Sequence, residues 1–145
     1  MAKVQHSVTI NQPVEQVFAF ITDTRNTTRW QPLISEARAT LEGPAQIGTQ
    51  VTEVRTFIGR KMESTYEIVE LEPNKRMVLK SVAGPFPYKG TITFESLGNA
   101  TKVTFDAETE ARGFFKLADG IVAGSMRKKL ETNLSTAKQV VEAGA

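Results

Sequence analysis

The sequence predicts a single α+β domain in which a curved antiparallel β-sheet wraps around a long C-terminal α-helix, with two short helices after the first strand. Three observations predict it: an alternating pattern at the start, a run of hairpin turns through the middle, and an amphipathic segment at the end. A chain of 145 residues normally forms one domain with a substantial core, so we expect one domain over residues 1–145.

The first segment alternates between apolar and polar residues, as a half-buried strand does. Its inward set is Val4, His6, Val8 and Ile10. Pro13 then favours a helix start, because proline loses no hydrogen bond in the first helical turn. The apolar face of that helix is Val14, Val17, Phe18 and Ile21. Capping residues at 22–24 predict a short second helix, which ends at Trp30-Gln31-Pro32.

Residues 33–111 carry only strand and turn signals. Turn-forming clusters recur at hairpin spacing: Glu42-Gly43-Pro44, Ile58-Gly59-Arg60, Glu72-Pro73-Asn74, Ala83-Gly84-Pro85 and Leu97-Gly98-Asn99. Between these clusters the strands have one apolar face and one polar face. This pattern is typical of an antiparallel meander with one solvated face.

A long helix is predicted over roughly residues 114–143. Its apolar stripe consists of Met126, Leu130, Leu134, Ala137 and Val141. Charged residues are expected to lie away from this stripe, namely Arg127, Lys128, Lys129, Glu131 and Lys138.

The composition excludes several kinds of site. With no cysteine, the chain has no disulfide, no thiolate nucleophile and no zinc–thiolate centre, which favours a reducing compartment. The single histidine, His6, predicts neither a metal site nor a cofactor; it is interpreted as a core or edge residue, with a catalytic role as the alternative. The chain lacks a signal-like start and a membrane-length apolar run, so we expect a cytoplasmic protein without stable membrane insertion.

The formal charge of +2 is small, and the basic residues occur in twos and threes with acids between them. A nucleic-acid-binding protein would carry a denser basic stripe. We therefore interpret these charges as solvated surface and expect no nucleic-acid partner.

Small side chains on the inward faces predict a cavity between the sheet and the long helix. They are Ser64, Ser81, Ala83, Gly90, Ala107, Ala118, Gly120 and Gly124. A concave, mainly apolar space of this kind is by default a ligand site.

Glu53 and Arg55 are the most informative charged pair. If Val51 and Phe57 face inward, strand alternation places Glu53 and Arg55 in the cavity as an ion pair able to orient a polar group or transfer protons. The opposite face is also mixed, so both registers stay open, and in the other one the pair lies in solvent.

Aromatic residues supply further candidates. Tyr66 and Tyr88 are expected on the apolar faces of their strands, as hydrogen-bond donors to a ligand or as core residues. Trp30 and Phe86 fit an aromatic rim, or simple packing.

Asp119 falls on the core stripe of the long helix, where a carboxylate is costly. It either faces the cavity or caps a helix that restarts at Gly120. Gly120 and Gly124 leave room for a ligand or for a close backbone approach, and would let the first turns of this helix move as a gate.

Several motifs together resemble the START-like (SRPBCC) superfamily, in its polyketide cyclase/dehydrase-like branch. They are the segment 11–23, Trp30-Gln31-Pro32, Gly43-Pro44, Ile47-Gly48-Thr49, the segment 98–103 and the segment 126–134. The resemblance covers nearly the whole chain and implies a helix-grip fold with a deep, largely apolar pocket. Members bind lipids, quinones, hormones or polyketides, and some are cyclases or dehydratases.

The leading hypothesis is that the domain binds a small, mainly hydrophobic molecule such as a lipid, a quinone or a polyketide-like compound. The predicted ligand-binding residues are Trp30, Glu53, Arg55, Phe57, Tyr66, Phe86, Tyr88, Phe94, Phe105, Asp119, Gly120 and Gly124. The alternative is a cyclase or dehydratase without metal or cofactor, with Glu53 and Tyr66 as the catalytic candidates. A protein-interaction module is the third hypothesis, and the oligomeric state stays open.

Overall fold

The computed structural model describes residues 2–57, 59–84, 87–109 and 119–144. The chain begins with strand β1 (Ala2–Ile10), helix α1 (Val14–Thr22), a 3₁₀ helix (Thr24–Asn26) and helix α2 (Thr27–Trp30). The strands that follow are β2 (Ile34–Ala39), β3 (Gln50–Phe57), β4 (Arg60–Glu72), β5 (Arg76–Ala83), β6 (Tyr88–Ser96) and β7 (Thr101–Thr109). Helix α3 (Asp119–Glu142) comes last, and the α+β helix-grip prediction is confirmed.

The described strands form one antiparallel sheet in the order β1-β7-β6-β5-β4-β3-β2. Each strand from β2 to β6 pairs with the next one along the chain, as a meander does, and β1 pairs with β7 at the other edge. The described glycines of the predicted turn clusters, Gly43, Gly59, Gly84 and Gly98, each lie between two strands, as does Asn74. At the β3–β4 and β6–β7 turns, Gly59 and Gly98 have φ angles of 72° and 84°, a conformation that favours glycine because it has no Cβ.

The main core lies between the concave face of the sheet, α1 and the C-terminal half of α3. Its most deeply buried members are Ile10, Val17, Val51, Ile68, Ile92, Val103, Leu134 and Val141. In a smaller cluster, Leu130 of α3 packs with Val4 of β1 and Ala107 of β7. The predicted stripe of α3 is confirmed from Leu130 to Val141, whereas its predicted beginning near residue 114 lies outside the described residues.

The C-terminal end of α3 is fastened to the corner between β1 and α1. Lys138 Nζ donates a hydrogen bond to the carbonyl oxygen of Thr9 at 2.6 Å. The backbone N–H of Asn11 donates to Glu142 Oε2 at 2.7 Å, and that carboxylate also accepts from Lys138 at 2.7 Å. These contacts and the burial of Val141 fix this end of the helix.

Part of the small-residue argument for a cavity is wrong. A Cβ added at Gly90 would come within 2.9 Å of Leu79 Cδ1 and 3.0 Å of Phe105 Cε1, so two large side chains fill the space beside this glycine. Ala83 is exposed and lines no interior space, while Ala107 is packed within the smaller cluster. Ala118 lies outside the described residues. The interior is therefore more completely packed near Gly90 than the residue sizes indicate.

Among the described helices, none combines the length and the apolar character needed to cross a membrane.

Candidate functional site

The register of β3, which the sequence leaves open, turns Glu53 and Arg55 toward α3. Glu53 is 4% exposed and shares the inward face with Val51. The ambiguity arose from Val54, which is buried on the opposite face. There Arg38 forms ion pairs with Glu36 and Glu63, which lie opposite Val54 on the two neighbouring strands. An apolar residue thus stands on the outward face, which hides the alternation.

Glu53 and Arg55 form a largely buried ion pair. Arg55 Nη2 donates to Glu53 Oε1 at 3.3 Å, and the side chains of Arg55 and Glu53 are 27% and 5% exposed. Burial raises the pKa of the Glu53 carboxyl, and the positive charges of Arg55 and Lys129 oppose that rise. Burial has the larger effect, so Glu53 holds a proton more readily than a surface glutamate does.

Lys129 is a member of this site that the sequence analysis missed. It was expected to lie away from the apolar stripe of α3, and that expectation is wrong. Burial lowers the pKa of its amine to about 8, Arg55 lowers it further, and Glu53 opposes the effect. The sequence contained one signal for this position: Lys129 lies three residues after Met126 and four before Asn133, so all three share one face of the helix. That face is the one on which Asn133 is buried. The position of Lys129 within a run of three basic residues suggested solvent instead.

Tyr66 and Tyr88 complete the group. Tyr66 is 7% exposed and lies opposite Val51 on β3 and Ser81 on β5. Ser81 Oγ in turn accepts a hydrogen bond from the backbone N–H of Tyr88 at 2.8 Å. Burial first, and the Glu53 charge second, raise the pKa of both phenols, so both stay protonated at neutral pH. We call Glu53, Arg55, Tyr66, Tyr88 and Lys129 the interior polar cluster.

Three other predicted aromatic site residues lie in the same interior, because Tyr66 also belongs to the main core and Tyr88 packs against it. Trp30 and Phe94 belong to the main core, where the rings of Phe94 and Phe18 meet edge to face with centroids 5.0 Å apart. Phe105 is partly buried and contacts both the main core and the smaller cluster. Their places in the ligand site remain predictions, since the packing of the core already accounts for each.

The other predicted site residues are described only in part. Phe57 ends β3, and Asp119 and Gly120 stand in the first turn of α3, but their side chains lie outside the described set. Phe86 lies outside the described residues altogether. Gly124 is exposed, with no atom within 4 Å of an added Cβ. His6 is half-buried on the inward face of β1, opposite Phe105 on β7.

Two further polar groups of the interior lie where α2 meets α3. Asn133 is 4% exposed, and its Nδ2 donates a long hydrogen bond of 3.5 Å to Gln31 Oε1. Asn133 Oδ1 and Trp30 Nε1 are buried and have no hydrogen-bond partner within the described part of the chain. Such groups are costly unless water or a ligand satisfies them.

No group of three or more histidine, aspartate or glutamate side chains is placed to hold a metal ion in the described residues. A surface cleft of about 230 Å³ lies between the 3₁₀ helix, α2 and β2. It contains no member of the interior polar cluster, and its Arg25 guanidinium is already bound to Asp23 at 2.7 and 3.0 Å. The surface cleft is therefore separate from the buried ion pair of Glu53 and Arg55.

The sheet order, the short helices after β1 and the gripping helix α3 define a helix-grip fold. The chain belongs to the family described as polyketide cyclase / dehydrase and lipid transport, whose model matches residues 1–142.

Solved structures with this fold include the protein TTHA0849 from Thermus thermophilus, with a TM-score of 0.83, 21% identity and 99% of each chain covered. The di-domain ARO/CYC BexL from the BE-7585A biosynthetic pathway matches with a TM-score of 0.80 and 18% identity over 98% of this chain and 47% of that one. A START superfamily protein from Mycobacterium smegmatis matches with a TM-score of 0.74 and 15% identity over 97% and 99%. At these identities the likeness concerns the fold. No curated protein sequence matches the chain.

Proposed function

We propose that the domain binds a small, mainly hydrophobic molecule with one polar end, held between the sheet and α3. The observation that carries the proposal is the interior polar cluster. Four of its groups lie on three strands of the sheet and the fifth, the amine of Lys129, lies on α3, next to an otherwise apolar core. Burying them costs free energy, so their presence is better explained by recognition than by stability.

The charges of the cluster indicate the kind of polar end. Arg55 and Lys129 supply two cations and Glu53 one carboxylate, so the site favours an oxygen-rich or anionic group. The protonated phenols of Tyr66 and Tyr88 add two donors for an oxygen acceptor. The apolar body of the ligand would lie toward the main core. The family description, which includes lipid transport, supports the same class of ligand.

A matched pair of fluorescent probes tests this proposal. 1-Anilinonaphthalene-8-sulfonate carries a negative charge, and N-phenyl-1-naphthylamine is the same molecule without it. We expect saturable binding of both with one site per chain. Arg55→Gln should weaken the sulfonate probe about tenfold and leave the neutral probe nearly unchanged, because only the first uses a charge-assisted hydrogen bond.

Arg38→Gln is the control, because Arg38 lies on the outward face of β2. Equal weakening of both probes by Arg55→Gln, or an equal effect of Arg38→Gln, would contradict recognition of a polar end by the cluster. Absence of saturable binding by either probe would remove the proposal itself. Native mass spectra of protein purified from its own host, compared with denatured protein, would identify a resident ligand by its mass.

The second candidate function is acid–base catalysis on a polyketide-like substrate. The raised pKa of Glu53 favours it, because a carboxyl that titrates closer to neutral pH can both accept and donate a proton. The family description, which names a cyclase and a dehydrase, supports it as well. Turnover that survives Glu53→Gln unchanged would exclude Glu53 from that role.

A further inference from the structure

Asn133 is an exception on the buried face of α3. Within the described part of this helix, the other buried side chains are all apolar, namely Leu130, Leu134, Ala137 and Val141. Asn133 is 4% exposed, so its amide lies among core residues, where an apolar side chain would pack without the cost of burying a polar group. An amide at this position therefore favours a role other than stability.

The amide of Asn133 has a hydrogen-bond partner on one side only. Its Nδ2 donates a bond of 3.5 Å to Oε1 of Gln31, the residue that follows α2. Its Oδ1 is cut off from solvent and has no partner in the described part of the chain. Because Nδ2 and Oδ1 are the two branches of one planar amide, the bond to Gln31 turns Oδ1 away from that residue and leaves an acceptor in the interior.

Trp30 supplies a complementary group. It immediately precedes Gln31, is 3% exposed, and belongs to the same core as Leu134, the residue after Asn133. Its indole Nε1–H can only donate, and it is also buried without a partner among the described residues. We call Trp30, Gln31 and Asn133 the α2–α3 junction. It holds one donor and one acceptor that the described chain does not satisfy.

Comparable polar groups elsewhere in the described chain are bonded within the protein. Thr101 and Thr109 are also buried, and their hydroxyl groups donate to backbone carbonyl oxygens at 2.8 and 2.7 Å. Arg76 Nε lacks a partner, but the same guanidinium binds Glu70 through Nη2 at 2.9 Å. Among the described residues, only the α2–α3 junction combines a buried donor and a buried acceptor without partners.

We propose that the α2–α3 junction is a subsite for a hydroxyl group, which accepts a hydrogen bond from Trp30 Nε1 and donates one to Asn133 Oδ1. A hydroxyl group does both through a single oxygen atom. This inference rests on the proposed function, and it adds a hydroxyl group to the polar end of the bound molecule. Water has the same chemistry, so the test must distinguish a hydroxyl group of the bound molecule from a buried water.

The position of Asn133 connects this subsite with the interior polar cluster. Asn133 follows Lys129 by four residues, so the two share one face of α3 and are about 6 Å apart along its axis. One small molecule can therefore place its polar end at the interior polar cluster and a hydroxyl group at the α2–α3 junction.

Three naphthalenes of similar size test the proposal on the full chain. 2-Naphthol donates and accepts a hydrogen bond, 2-methoxynaphthalene only accepts, and 2-methylnaphthalene does neither. Displacement of N-phenyl-1-naphthylamine measures their affinities. We expect 2-naphthol to bind about tenfold more tightly than 2-methylnaphthalene. The methoxy compound should resemble the methyl compound, because it leaves Asn133 Oδ1 without a donor.

Two matched variants locate the effect. Asn133→Leu removes the acceptor and keeps a side chain of similar size, so the preference for 2-naphthol should fall to about twofold or less. Gln139→Leu makes the same kind of change at an exposed position of α3 and should leave the preference unchanged. A preference that survives Asn133→Leu, or that is lost equally in Gln139→Leu, would overturn the proposal.

The indole of Trp30 reports the same contact without any substitution. Trp30 is the only tryptophan, so its indole N–H gives a single resonance in the nuclear magnetic resonance spectrum of isotope-labelled protein. We expect 2-naphthol to move this proton downfield more than 2-methylnaphthalene does, because the two share a ring system and differ in the hydrogen bond. This measurement decides the question even if Asn133→Leu does not fold.

The same spectra distinguish the bound hydroxyl group from water. A nuclear Overhauser contact between the indole proton and water that persists at saturating 2-naphthol would assign the junction to buried water alone and overturn the proposal. Loss of that contact on binding of 2-naphthol, but not of 2-methylnaphthalene, would support it.

The affinities separate this subsite from the proposed function. If the three naphthalenes bind equally well, the hydroxyl subsite is wrong and the binding function stands. If neither N-phenyl-1-naphthylamine nor any of the naphthalenes binds, the binding function fails, and the hydroxyl subsite fails with it.

Discussion

The interior of the domain has two ends that differ in what their residues do. At one end Ile10, Val103, Leu134 and Val141 are all 0% exposed and contribute only apolar contact. Burying a side chain of this kind stabilises the fold by about 1.5–3 kcal/mol. At the other end the interior polar cluster buries groups whose charged forms are disfavoured, as the raised pKa of Glu53 and the lowered pKa of Lys129 indicate.

The two ends are connected by the same helix. Leu134 and Val141 lie in the C-terminal half of α3, beside β1 and α1, whereas Lys129 lies in the preceding part and faces β3. The helix α3 therefore contributes both apolar residues that stabilise the fold and one member of the polar cluster for which we propose ligand binding. We therefore expect truncation of Leu134 to lower the free energy of unfolding, and replacement of Lys129 by an apolar residue, on a neighbouring turn of α3, to raise it.

The largest effect is expected at the apolar end. Leu134→Ala removes a fully buried side chain from the main core, so it should lower the free energy of unfolding by about 2–5 kcal/mol. Urea denaturation at pH 7 measures this change. Ser135→Ala, at the exposed neighbouring position, should change stability by less than about 0.5 kcal/mol. A loss below about 1 kcal/mol at Leu134 would mean that this end is not the main source of stability.

The next effect has the opposite sign. The folded-state pKa of Lys129 is about 8, below its ordinary 10.5, so the charged amine destabilises the fold below pH 8. That cost disappears as the pH rises from about 8 past 10.5, because the amine then becomes neutral in the unfolded chain too. The full shift corresponds to about 3 kcal/mol, and partial contact with solvent reduces it.

Lys129→Met should therefore raise the free energy of unfolding by about 1–2 kcal/mol at pH 7, and the gain should shrink by pH 10. Urea denaturation at the two pH values provides the comparison, with Lys128→Met as the exposed control. A loss of stability at pH 7 would place Lys129 with the stabilising residues and remove the contrast between the two ends.

The smallest effect concerns Glu53. Because burial raises its pKa above 4.5, its ionised form lowers stability as the pH rises through that raised value. Glu53→Gln keeps the shape and an oxygen for Arg55, so we expect a gain of up to about 1 kcal/mol at pH 7 that vanishes near pH 4. Glu131→Gln, exposed on α3, serves as the reference. A loss above about 1 kcal/mol at pH 7 would mean that the ion pair with Arg55 outweighs the cost of burial.

Much of the fold follows from local patterns in the sequence. The alternation in β1, the turn clusters and the stripe from Leu130 to Val141 each depend on neighbouring residues, and periodicity reports them directly. The site depends on contacts distant in sequence, which periodicity does not report. Val54 hid the register of β3 because it is an apolar residue buried on the outward face, between Glu36 and Glu63 of the two neighbouring strands.

The same limit explains the two errors in the interior. Lys129 looked like a solvated charge because nothing local shows that Glu53, 76 positions away in the sequence, lies opposite it. Gly90 looked like empty space because Leu79 and Phe105, which occupy it, come from the neighbouring strands. Side-chain size along one strand does not give the volume between strands.

Lys138 and Glu142 attach the C-terminal end of α3 to the β1–α1 corner, so this end is the fixed point about which the helix would tilt. Lys129 lies 13 residues before Glu142, about 20 Å along the axis. A tilt of about 3° about this fixed point moves Lys129 by about 1 Å, while Val141 hardly moves. A tilt of this size would therefore displace Lys129 by about the difference between a good and a broken hydrogen bond, and the packing of Leu130 against Val4 and Ala107 opposes it.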